Sequence, residues 1–427
     1  MSTLKAVRGT RDLLPPETAL WNRIEDTARR VFARYNFGEI RTPIFEDTTL
    51  FARGVGEETD IVSKEMYTWE DRARAQSEKT QSLTLRPENT AGVVRAYIEH
   101  KLGESGQLQK LFYIGPQFRR ERPQKGRYRQ FSQIGAEVIG PPSAGSESPL
   151  RDAEVLEMLA TLLDELGITG WTLHLNSVGS AADRARYNET LRQALIPVAA
   201  QMCVDCQRRA VTNPLRVLDC KVPEDQPIIE ALPKITDSLD EDSRAHFAAV
   251  TAALQTAGIS FTHNPRLVRG LDYYTRTTFE FTHGGLGAQN ALLGGGRYDG
   301  LSEALGGPRA PGIGFAMGED RLVLTLQSLE SAQPAKAHAY IAPIGEALNP
   351  HALAMARELR RAGLTVELGD GSFRLKKSFE AADKTARRIV ILGEDELKSG
   401  ILTVKDFSTG NQTKVPLAEL VSHLAGQ

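Results

Sequence analysis

Between Phe118 and Phe131 the chain reads FRRERPQKGRYRQF. Six of these fourteen residues are Lys or Arg and one, Glu121, is acidic, although the 427-residue chain as a whole has a formal charge of −2. Guanidinium groups are planar forks that fit phosphate oxygens two at a time, and an aromatic ring offers a face to a base. Pro123 and Gly126 supply turn chemistry, so the flanking segments read as an antiparallel hairpin whose side chains alternate with period two. Tyr113, Gln117, Arg119 and Glu121 then share a face of the first strand. Arg127, Arg129, Phe131, Gln133 and Glu137 share a face of the second, and Tyr128, Gln130, Ser132, Ile134, Ala136 and Val138 take the other. Glu137 and Gln133 fall in a stretch otherwise apolar enough to be buried, where each needs a partner. Two readings are open. One is a solvated hairpin rich in surface Arg. The other is a graded site, with Arg for phosphate, Phe131 for stacking, and Gln133 with Glu137 deeper in for a small polar molecule. The mixture of residue types favours the second.

Other constellations point the same way without deciding it. RGLDYYTRTTFEF places Arg269, Asp272, Tyr273 and Tyr274 in one strand-like segment, either a cross-strand ion pair beside core aromatics or part of a site. ALLGGGRYDGL brings three glycines before Arg297; it matches neither the P-loop spacing nor GxGxxG. Glycines there allow either close packing or approach of the backbone to a ligand. GIGFAMGEDRL leads into a helix with Arg321 in its first turns, and TLRPENTAG puts Glu88 and Thr90 at a strand-to-helix junction, where capping is the plain role.

The elements that must position these residues follow from periodicity. Glu17 to Tyr35, with Leu20, Ile24, Ala28 and Val31 at helical spacing, is a helix; so are Glu88 to Glu99 and Arg151 to Leu166. Asn176 to Gly258 is mostly helical and reads as an insertion into a strand-rich domain. Gln327 to Ala337, QSLESAQPAKA, is a linker, and beyond it strands alternate with helices as in a small α/β domain with a largely parallel sheet. On the first helix of that domain Leu353, Ala356 and Leu359 are expected inside and Arg357, Arg360 and Arg361 outside. The length implies two or three domains. A hydrophobic content of 41% and a charged content of 25% are those of a globular protein in water. The first residues show no apolar h-region and no 18-residue apolar run occurs, so neither a secretory signal nor a membrane span is expected, and a near-neutral charge argues against non-specific coating of nucleic acid. Three cysteines cannot form a closed disulfide set, so reduced thiols in a cytoplasmic protein are expected. Cys203, Cys206 and Cys220 form CxxC plus one, but a structural zinc site takes four ligands and no fourth Cys or His is near; no metal site is expected there.

TLRPE, FRRERPQKGRYRQF, LVRGLDYYTRTTFEF, LLGGGRYDG and GFAMGEDRL, in this order, resemble the histidyl-tRNA synthetases, a branch of the class II aminoacyl-tRNA synthetases. RGTRDLLP resembles that family's N-terminal signature, and FGEIRTPIFEDTTLFARGVGEETDIVSKEMYTW resembles the class II dimer motif. The resemblance implies an α+β fold, a six-stranded antiparallel sheet flanked by helices, with an inserted helical domain and a C-terminal α/β anticodon-binding domain. Residues 1–176 and 258–327 would form the catalytic domain, 177–257 the insertion, 328–336 the linker and 337–427 the anticodon-binding domain. It also implies a homodimer and a two-step reaction. Histidine attacks the α-phosphate of ATP, and the adenylate then passes histidine to the 3′ end of tRNA(His). The alternative is a non-catalytic relative serving as regulatory subunit of ATP phosphoribosyltransferase, which normally lacks the anticodon domain.

The roles implied are specific. Arg119 and Arg269 are the catalytic pair, meeting the α-phosphate and the histidine carboxylate. ATP falls to Arg119, Glu121, Arg127, Phe131 and Arg321, with Phe131 on adenine, Arg127 and Arg321 about the γ-phosphate, and Glu121 at the base or a bound metal. Magnesium is expected to accompany ATP. Histidine is expected among Glu88, Asn89, Thr90, Arg119, Gln133, Glu137, Arg269, Tyr273 and Tyr274, the imidazole nitrogens going to Glu137 and Tyr274. The chain has Asn89 where the family usually has Gly, and Asn tolerates left-handed backbone angles. The tRNA acceptor end is expected at Arg122 and Gln124, with the insertion over the acceptor arm. Arg357, Arg360, Lys376 and Lys377 are candidates for the anticodon.

Overall fold

A computed structural model describes residues 3–57, 59–71, 80–124, 126–286, 290–329 and 336–426. The chain forms two compact units, Met1–Ser331 and Ala332–Gln427. In the first, eight strands make one sheet: β1 (Gly38–Glu39), β2 (Gln109–Phe118), β3 (Gln130–Ile139), β4 (Trp171–Ser177), β5 (Thr262–His263), β6 (Thr275–His283), β7 (Ala291–Arg297) and β8 (Gly312–Gly318). Their spatial order is β1-β2-β3-β8-β7-β6-β4-β5. The six central strands are antiparallel throughout, and the two-residue strands β1 and β5 pair parallel at the edges. The six-stranded sheet implied by the resemblance is thus present, with a short strand added at each end.

Alternation along the strands separates two faces. Ile134, Ala136 and Val138 of β3, Ile313, Phe315 and Met317 of β8, and Phe279 and Phe281 of β6 point into the main core. Helices Glu17–Arg34, Pro149–Glu165 and Glu319–Leu329 close over that face with Ile24, Phe32, Leu156, Leu159, Leu322 and Leu326. Truncating such a residue, for example Phe279→Ala, is expected to cost about 3–5 kcal/mol, read as a lowered denaturation midpoint. The opposite face carries Gln133 and Glu137 and is left open by Gly314, Ala316 and Gly318 of β8. The segment assigned to the insertion has its own core of Tyr187, Leu191, Cys206, Val217 and Ile235, which also takes in Val268 and Tyr274. Its last helix, Glu241–Thr256, instead contributes Val250 and Leu254 to the main core.

In the second unit the sheet runs Val366–Leu368, Ala339–Pro343, Arg388–Leu392, Ile401–Asp406, Gln412–Pro416. The first three strands are parallel, as expected, but the last two form an antiparallel hairpin that the alternation of strand and helix had not indicated. On the helix Asn349–Arg361 the buried stripe is Ala352, Met355, Ala356 and Leu359. Leu353 is exposed, contrary to expectation, because it lies one residue, about 100° of helical rotation, off that stripe. The helix Glu319–Leu329 runs on through Gln327 and Ser328 before the linker, of which residues 330–335 lie outside the described residues.

Candidate active site

The open face of the sheet is the floor of a cavity of about 360 Å³. Arg119 and Arg269 both line it, as do Glu121, Arg127, Phe131, Gln133, Glu137 and Arg321. β2 ends at Phe118 and β3 begins only at Gln130, so Arg119 to Arg129 is a connection rather than strand. Within it Arg119 donates through Nε to the carbonyl of Pro87 at 2.9 Å, which fixes its guanidinium 5.3 Å from the Phe131 ring centre. Arg127 pairs with Glu121 at 3.0 Å. Arg129, assigned by alternation to the same face, lies instead under the N-terminal segment, donating to the carbonyl of Arg8 at 3.2 Å. Arg321 donates to the carbonyl of Ala291 at 2.7 Å, and burial together with the charge of Arg127 lowers its pKa. It is therefore no surface residue.

Arg269 pairs with Glu280 at 2.9 Å, not with Asp272. Burial works against its charge, but Tyr274 and Glu280 together raise its pKa. Gly294 of β7 leaves the room that Arg269 occupies. A Cβ at Gly294 would stand 2.4 Å from the Arg269 Nη1, and one at Gly296 would stand 2.8 Å from the Tyr274 ring. Gly294 and Gly296 therefore serve close packing of the site's own side chains, and Gly295 close packing against Phe315 and Phe279 on the core side. Arg297, by contrast, is fully buried against Asp152 and Asp299 and is structural. Gly294→Ala must displace Arg269. A misplacement of about 1 Å of a group that acts in a reaction costs on the order of 10²-fold in rate, so if Arg269 acts in catalysis kcat should fall by about that factor with little change in thermal stability.

The deep end is polar and incompletely satisfied. Glu88 accepts from the backbone amides of Thr90 and Ala91 at 2.8 and 3.0 Å, so it caps the helix Thr90–Glu99 while lining the cavity. Burial raises its pKa in spite of those donors. Thr90 donates its hydroxyl to Glu137 Oε1 at 2.7 Å. Glu137 Oε2, Gln133 Oε1, the hydroxyls of Tyr113 and Tyr298, and Arg269 Nε are buried without a hydrogen bond of good geometry, although the Tyr298 hydroxyl lies close enough to Glu137 to favour its charged form. Such atoms gathered around one cavity suit a polar ligand, since buried polar groups are otherwise paired. Tyr273 and Tyr274 close the end with ring centres 4.8 Å apart. Burial lifts the Glu137 carboxyl to about 8, and the charge of Glu88 adds to this.

The sign of the linkage is testable. The folded state keeps a proton on Glu137 up to about pH 8, while the unfolded chain loses it near 4.5, so stability falls as pH rises between these values. Glu137→Gln has no such proton to lose. Its melting temperature relative to the parent chain, measured without ligand, should rise from pH 4.5 to 8 and then level off.

Asn89 does not line the cavity. Its side chain turns the other way, accepting from Thr42 at 2.6 Å, and its φ of −121° is not left-handed, so the replacement of Gly carries no backbone strain. Arg122 and Gln124 are exposed on the loop outside the cavity, whose Lys125 lies outside the described residues. Tyr113, Lys221, Glu280, Asp320 and Tyr298 also line the cavity and had no role assigned. Two signals were available: Tyr113 shares the face of Arg119, and Tyr298 follows Arg297 in the glycine-rich motif.

A family model described as Histidyl-tRNA synthetase matches residues 9–322, and one described as Anticodon binding domain matches 338–427. The chain belongs to the histidyl-tRNA synthetase family. The Histidine--tRNA ligase of Koribacter versatilis (strain Ellin345) is 72% identical over 99% of this chain and 96% of that protein. That of Solibacter usitatus (strain Ellin6076) is 57% identical over 99% of each. The apo histidyl-tRNA synthetase of S. aureus superposes with a TM-score of 0.79 at 38% identity, covering 99% of this chain and 100% of that one. As a member of this family the chain is an aminoacyl-tRNA ligase with a sheet flanked by helices and a C-terminal anticodon-binding domain. The regulatory-subunit alternative is not favoured: an ATP phosphoribosyltransferase regulatory subunit/histidyl-tRNA synthetase from Bacillus halodurans C is 19% identical, a likeness of fold alone. Among the described residues no helix is long and apolar enough to cross a membrane.

Proposed function

We infer that the cavity joins L-histidine to ATP and that the chain then passes the histidyl group to tRNA(His). The observation that carries this reading is the meeting, in one cavity, of four guanidinium groups with a buried, partner-seeking Glu137 and Gln133. A carboxylate is already ionised at neutral pH, so attack on the α-phosphorus requires no general base. It requires alignment and cations where negative charge accumulates. Arg119, held by the Pro87 carbonyl, and Arg269, set against Gly294, both line the cavity and take the α-phosphate between them, and Arg269 also holds the substrate carboxylate. Arg127 and Arg321 hold the γ-phosphate, and Phe131 stacks on adenine. Glu88, Thr90 and Gln133 hold the α-amine, and Glu137 and Tyr274 the two imidazole nitrogens.

Magnesium is a hard cation that takes carboxylate and phosphate oxygens, and Glu121 offers a carboxylate at the cationic end of the cavity, so the residues fit it. When bound it supplies neutralisation of the pyrophosphate. Arg122 and Gln124, exposed beside the cavity, serve the tRNA acceptor end. The second unit reads the anticodon, with Arg357, Arg360, Lys376 and Lys377 as contacts. A homodimer is supported by a separate three-stranded sheet, Phe45–Asp47, Gln81–Leu85 and Tyr67–Asp71, built largely from the segment resembling the class II dimer motif, where Phe45 and Trp69 are 54% and 40% exposed in mutual ring contact. The protein acts in the cytoplasm.

Histidine-dependent exchange of labelled pyrophosphate into ATP tests the reading. Exchange that requires histidine is expected from the purified chain, and its absence would remove the enzyme reading of the cavity. A fragment ending at Ser331 should retain exchange but charge tRNA(His) at least tenfold more slowly, since it lacks the second unit. Equal charging by the fragment would discredit the anticodon role.

A further inference from the structure

The three cysteines play no part in the chemistry above. Cys203 precedes the helix Val204–Thr212 and Cys206 lies in its first turn; Cys220 comes from the turn after Val217 and Asp225 from the turn Pro223–Asp225. One ligand atom from each of these four residues lies within 4.8 Å of all the others. Counting only Cys and His missed the fourth, because Asp225 sits five residues beyond Cys220 and is brought back by the intervening turn. Cys206, Cys220 and Asp225 are buried and Cys203 is half-buried.

The geometry suits one small ion. The Sγ atoms of Cys203 and Cys220 are 3.9 Å apart, and Cys220 Sγ is 3.2 Å from Asp225 Oδ2. Sulfurs bound at about 2.3 Å to a tetrahedral ion stand roughly 3.8 Å apart, whereas a disulfide holds them at about 2.0 Å. Asp225 Oδ1 accepts the Cys203 amide at 3.0 Å, an outer contact that orients the carboxylate as such contacts orient metal ligands. Met202, Leu218 and Ile229 pack into the same apolar cluster as Cys206 and Cys220. Four protein donors leave no open position, the mark of a structural rather than a catalytic ion.

We propose that Cys203, Cys206, Cys220 and Asp225 bind one structural zinc ion. On binding, the three thiols release three protons to solvent, and Asp225 enters ionised. The ion closes the loop that carries Arg216, which donates to the carbonyl of Gly270 at 3.1 Å beside Arg269, and Lys221, which lines the active-site cavity. Zinc thereby pins one wall of that cavity.

Elemental analysis of the full-length protein, purified without chelator, is the test. About one zinc per chain is expected, falling below about a tenth in Cys206→Ser and retained in Asp225→Cys, which completes a four-thiolate set. Cobalt exchanged into the site should give the intense thiolate charge-transfer absorption of a tetrahedral ion, and removing zinc should lower the melting temperature by several degrees. Less than about a tenth of a zinc per chain after incubation with the metal would overturn the proposal. So would iron in its place, or a Cys203–Cys220 disulfide.

Discussion

Replacing Glu137 by alanine is expected to all but abolish histidine-dependent exchange while ATP still binds. The carboxyl group is fully buried, holds Thr90 through one oxygen and lines the cavity beside Tyr298 with the other. A site built to hydrogen-bond both nitrogens of an imidazole discriminates by about 10⁴-fold, because its own buried polar groups are left unpaired by a substrate that lacks them. Loss of the group proposed to read one nitrogen should therefore lower kcat/KM for histidine by about three to four orders of magnitude. ATP, proposed to lie at the other end against Arg127, Arg321 and Phe131, should bind within a few-fold of normal. Glu137→Gln separates charge from shape. It keeps the volume and the Thr90 contact, and should recover folding but only part of the activity. Unchanged histidine affinity in either variant would show that the imidazole lies elsewhere.

The second large effect belongs to Arg269. Its guanidinium lies against Gly294, is anchored by Glu280, and faces the same space as Arg119. Such preorganised charge costs no rearrangement when the α-phosphorus gains negative charge, and removal of one such donor typically costs about 10²–10³ in kcat. Arg269→Ala should show that loss with substrate dissociation constants altered much less. Arg269→Lys should recover little, because an ammonium is a point charge and cannot span a phosphate and a carboxylate as a planar fork does. A loss confined to KM would mean that Arg269 binds ground-state substrate alone.

How much of this site the sequence disclosed depended on the kind of signal. Period-two alternation put Gln133 and Glu137 opposite Ile134, Ala136 and Val138, and the sheet divides them in that way. It failed at Arg129, because alternation holds only inside a strand and β3 starts one residue later. Asn89 was placed by its neighbours in a motif, yet a single rotation about Cβ sends its side chain to Thr42 instead of the cavity. The glycines of β7 left two uses open, and only the positions of Arg269 and Tyr274 distinguish them. Asp225 was illegible for another reason. Nothing in an isolated carboxylate tells which turn will carry it to three thiols. The closing hairpin Ile401–Asp406 and Gln412–Pro416 escaped notice because no helix separates its strands, so it broke the alternation that marked the rest of that unit.

The proposed shared grip on one phosphate is tested most directly by a double-mutant cycle on adenylate formation, followed in a single turnover with Arg119→Ala, Arg269→Ala and the pair. Both groups acting on the same developing charge should give single losses of about 10²–10³ that do not multiply, leaving the double variant at most about tenfold slower than the worse single. Losses that multiply in full, or a single variant that turns over at the parent rate, would contradict it.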